Sequence, residues 1–210
     1  MAPSRTKMIC PYCDSEFSLG DATDPADKSG LINKNWFIYE WDYDNLIKNP
    51  KCAVALSSFI RCMNEYDTPD QVEEYLHTYL IPNCDDVSAF GIREEKMSEI
   101  KQRISIAPGE HIVLYYDDGL FIHGKTGFVL TNKRALFVQK KEIKEVVFST
   151  IPYIFVGYSL SLPDFKLGDK YIYNVPTMGS NCELQGACVA YICHCCFKDD
   201  PNRPQIRLIK

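Results

Sequence analysis

Residues 110–132, Glu110-His-Ile-Val-Leu-Tyr-Tyr-Asp-Asp-Gly-Leu-Phe-Ile-His-Gly-Lys-Thr-Gly-Phe-Val-Leu-Thr-Asn132, decide how the chain is read. Within them, Gly119 to Thr126 spells the P-loop string G-x-x-x-x-G-K-[ST], which predicts a nucleotide-binding protein. The same residues lie between two apolar runs, Ile112–Tyr116 and Phe128–Leu130, which predict two strands joined by a loop. A phosphate cradle needs a helix to begin at the Lys-Thr, with its first N–H groups aimed at phosphate. The run after Thr126 is Gly-Phe-Val-Leu-Thr-Asn, interrupted by glycine and rich in strand formers. The hairpin is therefore the expected structure, with P-loop nucleotide binding through Gly119–Thr126 as the alternative.

Past Pro108-Gly109 the pattern stays β-rich. Short runs at His111–Asp117, Gly127–Thr131, Ala135–Gln139, Ile143–Thr150, Tyr153–Leu160, Asp164–Leu167 and Tyr171–Val175 are punctuated by Gly, Asn, Asp and Pro. Runs this close together predict antiparallel hairpins, because parallel crossovers need a dozen or more residues. A helix is expected over Asn181–Phe197, where Leu184, Ala187, Cys188, Tyr191, Ile192, Cys195 and Cys196 form one apolar stripe and Cys193 lies off it.

Ahead of this region, residues 31–103 read as helical. Asp42–Asn49 predicts a short amphipathic turn ended by Asn49-Pro50. Lys51–Tyr66 places Cys52, Leu56, Phe59, Ile60 and Met63 at helical spacing. Thr68 is expected as the N-cap of Val72–Leu80, with Pro69 at its first position. A last helix is expected over Ile92–Ile104, and His77 reads as a satisfied structural histidine. Residues 1–30 are polar and turn-rich. The expected layout is a CxxC segment (1–30), a helical region (31–103), a β-rich domain with its helix (104–197) and a tail (198–210).

Charge and composition narrow the function classes. The 210 residues carry a net charge of −5, which argues against a nucleic-acid partner. Residues 1–103 hold 11 Lys/Arg against 18 Asp/Glu, and residues 104–210 hold 12 against 10, so the sign changes between the halves. No apolar run approaches the roughly 18–20 residues that span a bilayer. The N-terminus MAPSRTKMICPYC lacks the apolar core of a secretory signal, so a cytoplasmic chain is expected.

Ten cysteines are present, in spacings unlike a disulfide framework. Cys10-Pro-Tyr-Cys13 has three readings: half of a zinc site on Cys10 and Cys13, a redox pair like that of glutaredoxins, or an element without function. Cys193 and Cys196 also spell CxxC; paired with Cys10 and Cys13 they would make a four-cysteine zinc site across the chain ends. No spacing links an acid, a base and a nucleophile, so a non-enzymatic protein is expected.

Gly109-Glu110-His-Ile-Val-Leu-Tyr-Tyr-Asp-Asp118, followed by Gly124-Lys-Thr-Gly-Phe-Val-Leu-Thr-Asn-Lys133 and Ala-Leu-Phe-Val138, resembles bacterial pleckstrin-homology-like (PH-like) domains. Several proteins of that sort also carry an N-terminal CPxC zinc-ribbon fragment; the second cysteine pair of such a ribbon is missing here. The resemblance spans about residues 104–197. It implies a seven-stranded antiparallel PH-like barrel or sheet capped by a C-terminal helix; with the helical region read over 31–103 ahead of it, an α+β protein is expected. It also implies a binding module rather than an enzyme; the expected role is binding a protein or peptide partner, with the acidic helical half as an adaptor or self-association surface. Phosphate-binding members use cations of the first loops. Here those are His123 and Lys125, with Lys133, Arg134, Lys140 and Lys141 on later turns, and Asp117 and Asp118 beside them make anionic lipid the minor alternative.

Overall fold

The computed structural model describes residues 48–118, 126–159, 162–168 and 173–200, together with short strands at 7–9, 16–18, 37–39 and 205–208. β1 (Lys7–Ile9) and β2 (Glu16–Ser18) pair antiparallel as a two-stranded sheet. β3 (Phe37–Tyr39) belongs to a larger sheet.

Helix α1 covers Pro50–Glu65. Asn49 is its N-cap, accepting from the N–H of Lys51 (3.1 Å) and Cys52 (3.3 Å). Pro50 occupies the first helical position, where its missing N–H costs nothing. Asn49-Pro50, expected to end a turn, thus starts a helix; residues 42–47 lie outside the described residues. Helix α2 (Pro69–Tyr75) opens as expected, with a reciprocal capping box between Thr68 and Gln71. It runs on through a π-helical turn, Leu76–Leu80, and a 3₁₀ turn, Ile81–Asn83. The two-residue strand β4 (Val87–Ser88) comes next. The helix expected over Ile92–Ile104 is shorter: a 3₁₀ turn at Glu94–Met97 leads into α3, Ser98–Arg103.

The β-rich region contains β5 (Ile112–Asp117), β6 (Gly127–Thr131), β7 (Arg134–Val138), β8 (Ile143–Val147), β9 (Tyr153–Ser159), β10 (Leu162–Leu167) and β11 (Tyr173–Val175). Helix α4 spans Cys182–Asp199, and β12 spans Gln205–Leu208. The protein is α+β, but its strands do not close into one barrel. They divide into a sheet ordered β4-β5-β6-β7-β8 and another ordered β11-β10-β9-β12-β3. The break comes after β8, where a 3₁₀ turn (Phe148–Thr150) and Pro152 carry the chain away before β9. The second sheet is mixed, because β12 lies parallel to both β9 and β3.

The described residues on either side of 119–125 form the two paired strands of a hairpin, β5 and β6. β6 is antiparallel to β5, pairing Asp117 with Gly127 and Tyr116 with Phe128. Thr126 therefore leads directly into a strand. Gly127 is needed because a Cβ there would sit 2.1 Å from the Tyr116 carbonyl oxygen. The register sorts side chains onto two faces. Tyr115, Val129 and Leu136 share one face, covered by Met97 of the 3₁₀ turn and Ile100 of α3. Leu114, Leu130, Ala135 and Val146 share the other, which joins the main core around α4.

Helix α4 departs most from expectation. In place of one apolar stripe, every residue from Leu184 to Cys196 is buried, Cys193 included. The cause is its central position. Ser58 of α1 donates to the Glu183 carbonyl (2.8 Å), Gln185 donates to the carbonyls of Pro163 and Val175, and the Cys196 thiol donates to the Phe148 carbonyl (3.3 Å). A helix that is apolar nearly all round belongs inside a protein. Gly186 permits the closest approach: a Cβ there would lie 2.0 Å from the Ala55 carbonyl oxygen.

Candidate binding surface

The turn between β6 and β7 is built around one threonine. Thr131, itself buried, accepts on its Oγ1 from the N–H groups of Lys133 (3.1 Å) and Arg134 (3.0 Å) and donates to Glu110 Oε1 (2.8 Å). Glu110 receives a fork from Arg134, with Nε 2.8 Å from Oε1 and Nη2 3.1 Å from Oε2. The Ala107 N–H adds a fourth donor at 2.9 Å. Burial works to raise the Glu110 carboxyl pKa, but Arg134, Ala107 and Thr131 outweigh it and hold the group below its ordinary value. Arg134 also reaches Glu145 on β8 and the Ser105 carbonyl.

Lys133 donates to the Pro108 carbonyl (2.8 Å) and Asn132 to that of Gly109 (3.1 Å). Pro108-Gly109-Glu110 and Thr131-Asn-Lys-Arg134 are therefore two halves of one lock that closes the outer corner of the sheet. Lys133 and Arg134, singled out as binding cations, spend their donors inside it. His123 and Lys125 lie outside the described residues, as do Cys10 and Cys13.

Lys140 and Lys141 are placed differently. They are the two central residues of the β7–β8 turn, closed by mutual Gln139–Glu142 hydrogen bonds of 2.8 and 3.3 Å. Both are exposed, and neither forms an ion pair among the described residues. Lys144, on β8, is 3.9 Å from Glu142. With all of β8 included, residues 133–147 hold five Lys/Arg against Glu142 and Glu145, and Lys140, Lys141 and Lys144 lie outside the corner lock, so this margin is positive in a chain of net charge −5. Sequence reading missed the backbone beside these lysines: β8 is the end strand of its sheet.

Other polar groups serve packing. His77 hydrogen-bonds the Val113 carbonyl (2.7 Å), which a bulge between Ile112 and Leu114 turns out of the ladder. Glu73 takes His111 Nε2 (3.0 Å) and the Tyr191 hydroxyl (3.2 Å). The thiols beneath are neutral: burial pushes Cys62 and Cys195 up to about 12 and raises Cys188 and Cys193 well above the ordinary thiol value. Cys193 and Cys196 are both buried within α4. Among the described residues no cluster of three or more His, Cys, Asp or Glu could hold a metal ion, and no helix is long and apolar enough to cross a membrane.

These elements define an α+β protein with a doubly covered antiparallel sheet, a second mixed sheet and a buried central helix. A scan against protein-family models finds no match, and searches of curated proteins and of solved structures find none either.

Proposed function

We propose that this chain is a non-enzymatic, cytoplasmic binding or adaptor protein, and that residues 104–197 are a PH-like module taking a protein or peptide segment. The supporting observation is the strand order. A four-strand meander, β5–β8, precedes a three-strand meander, β9–β11, and then one long helix, α4, in the sequence that the resemblance implies. The two meanders stay separate sheets, so the module is an open version of that arrangement. Its positive margin at Lys140, Lys141 and Lys144 fits a polar partner segment better than a phosphate cradle, since Thr126 leads into a strand. Zinc on Cys10 and Cys13 is a separate element of the proposal, and metal analysis of the purified protein tests it.

The test of the module is selection from a random-peptide display library against the intact protein. The reading predicts an enriched consensus whose synthetic members bind folded but not urea-unfolded protein. No enrichment, together with measurable Mg-ATP or Mg-GTP affinity by calorimetry, would overturn it in favour of the nucleotide-binding alternative.

A further inference from the structure

The phase of the β7–β8 ladder fixes which backbone groups of β8 point outward. Gln139 and Glu142 exchange hydrogen bonds, and Phe148 N–H donates to the Lys133 carbonyl at 3.0 Å. With the observed register, Glu142, Lys144, Val146 and Phe148 therefore face β7. Ile143, Glu145 and Val147 direct their N–H and C=O groups away from the sheet. Thr150 Oγ1 donates to the Val147 carbonyl (2.7 Å). The N–H and C=O of Ile143 and Glu145 and the N–H of Val147 have no partner among the described residues.

We propose that this edge accepts an extended acidic segment of a partner protein as an added strand. The proposal rests on the reading of the chain as a peptide-binding module and names where and what it binds. Ile143 to Val147 offers about 13 Å of ladder, enough for a short strand. Side chains of the added strand alternate. Those on the first face meet Ile143, which packs against the Met97–Ile100 cluster, Val147, which is 36% exposed, and between them Glu145, whose carboxylate is held by Arg134. Those on the opposite face meet Lys144, with Lys140 and Lys141 at the adjoining turn. Acidic residues at every second position, with β-branched residues between, are the matching chemistry.

Charge also decides against a second copy of this chain. Lysines at a sheet edge discourage edge-to-edge pairing of like molecules, because both edges carry the same sign. The same lysines attract an acidic strand.

The test uses the intact protein, labelled with ¹⁵N, and the capped peptide Glu-Val-Glu-Val-Glu-Val-Glu, with its Lys-for-Glu counterpart as control. Expected are slowed hydrogen exchange and shifted amide resonances at Ile143, Glu145 and Val147 with the acidic peptide, and none with the basic one. Lys140→Glu with Lys141→Glu weakens binding by about tenfold or more. Val147→Pro removes one outward N–H without touching the ladder to β7. Val147 has φ −78° and ψ 129°, which proline accepts, so this variant is expected to fold. It is expected to lose binding, whereas Val147→Ala retains it.

Equal binding of both peptides, undiminished binding by Val147→Pro, or no change at the three amides overturns the proposal. Protection of the same amides that grows with protein concentration in the absence of peptide also overturns it, in favour of self-pairing. A displayed-peptide consensus that binds elsewhere on the protein removes this site while leaving the module reading intact.

Discussion

Arg134 meets Glu110 as a fork, with N–O distances of 2.8 and 3.1 Å, across a carboxylate side chain that is 1% exposed. The pair joins residues 24 apart and closes the corner where β5 begins and β7 starts. Removing one partner of a buried pair leaves an uncompensated charge. Arg134→Ala is expected to cost about 3–5 kcal/mol in urea unfolding. The double variant Glu110→Gln, Arg134→Met is expected to cost clearly less, because no buried charge is left alone. Equal losses would mean that the fork contributes through shape rather than charge.

The same pair sets a pH dependence. The folded-state pKa of Glu110 is depressed below the ordinary 4.5, so its contribution is fully present above that value and is lost as pH falls through the folded pKa. Wild-type stability, followed by thermal melting, should decline below about pH 4.5 through this group. In Arg134→Ala, burial acts unopposed by the guanidinium and raises the Glu110 pKa. That variant should then lose less stability than wild type on acidification.

Gly186 is where α1 and α4 touch backbone to backbone. With a Cβ 2.0 Å from the Ala55 oxygen and 3.0 Å from the Phe59 nitrogen, Gly186→Ala must push the helices apart. A loss of more than about 2 kcal/mol is expected despite alanine's better helix propensity. A neutral or stabilising result in chemical denaturation would contradict this helix crossing.

Thiol chemistry reports on the same core. Cys52, Cys62, Cys84, Cys182, Cys188, Cys193, Cys195 and Cys196 are all free and buried. A thiol at about 12 rather than 9.0 is ionised about a thousandfold less at pH 8, and burial hinders access as well. Iodoacetamide labelling read by mass spectrometry should modify these eight only as fast as the protein unfolds. Rapid labelling of Cys195 or Cys196 in native buffer would show that α4 is not central.

Local signals carried much of the architecture. Thr68-Pro69 with Gln71 spells a capping box, and that box is present. The hairpin β5–β6 arises from two short continuous apolar runs either side of a glycine-containing stretch, and its strand ends agree with the sequence reading to within one residue. Three things were hidden for physical reasons. β3, β4 and β12 are two to four residues long, too short for a period, and lie in stretches read as helical or as tail. Partner choice between strands is non-local, so two sheets could not be told from one barrel. In α4, Gln185 and His194 look like a polar face only until their partners are known. Gln185 donates to two carbonyls and His194 faces the Cys62 carbonyl, and both are buried.

The candidate site was legible to the same extent. Lys140 and Lys141 were readable as turn cations and remain exposed. Lys133 and Arg134 looked equivalent to them, yet their partners, Pro108 and Glu110, lie more than twenty residues away. Composition cannot separate a free cation from one locked by a distant carbonyl. The outward N–H groups of β8 required the ladder phase, which no single strand encodes.

The central claim, that β5 and β6 are paired strands of a binding sheet rather than the flanks of a phosphate cradle, is tested most directly by amide spectra of the intact ¹⁵N-labelled protein. Mg-ATP is titrated first, and display-selected peptides second. The account predicts no response of Asp117, Thr126 or Gly127 to nucleotide, and peptide-induced shifts within β5–β8. Saturable nucleotide shifts at those three residues, with the sheet silent to every peptide, would contradict it.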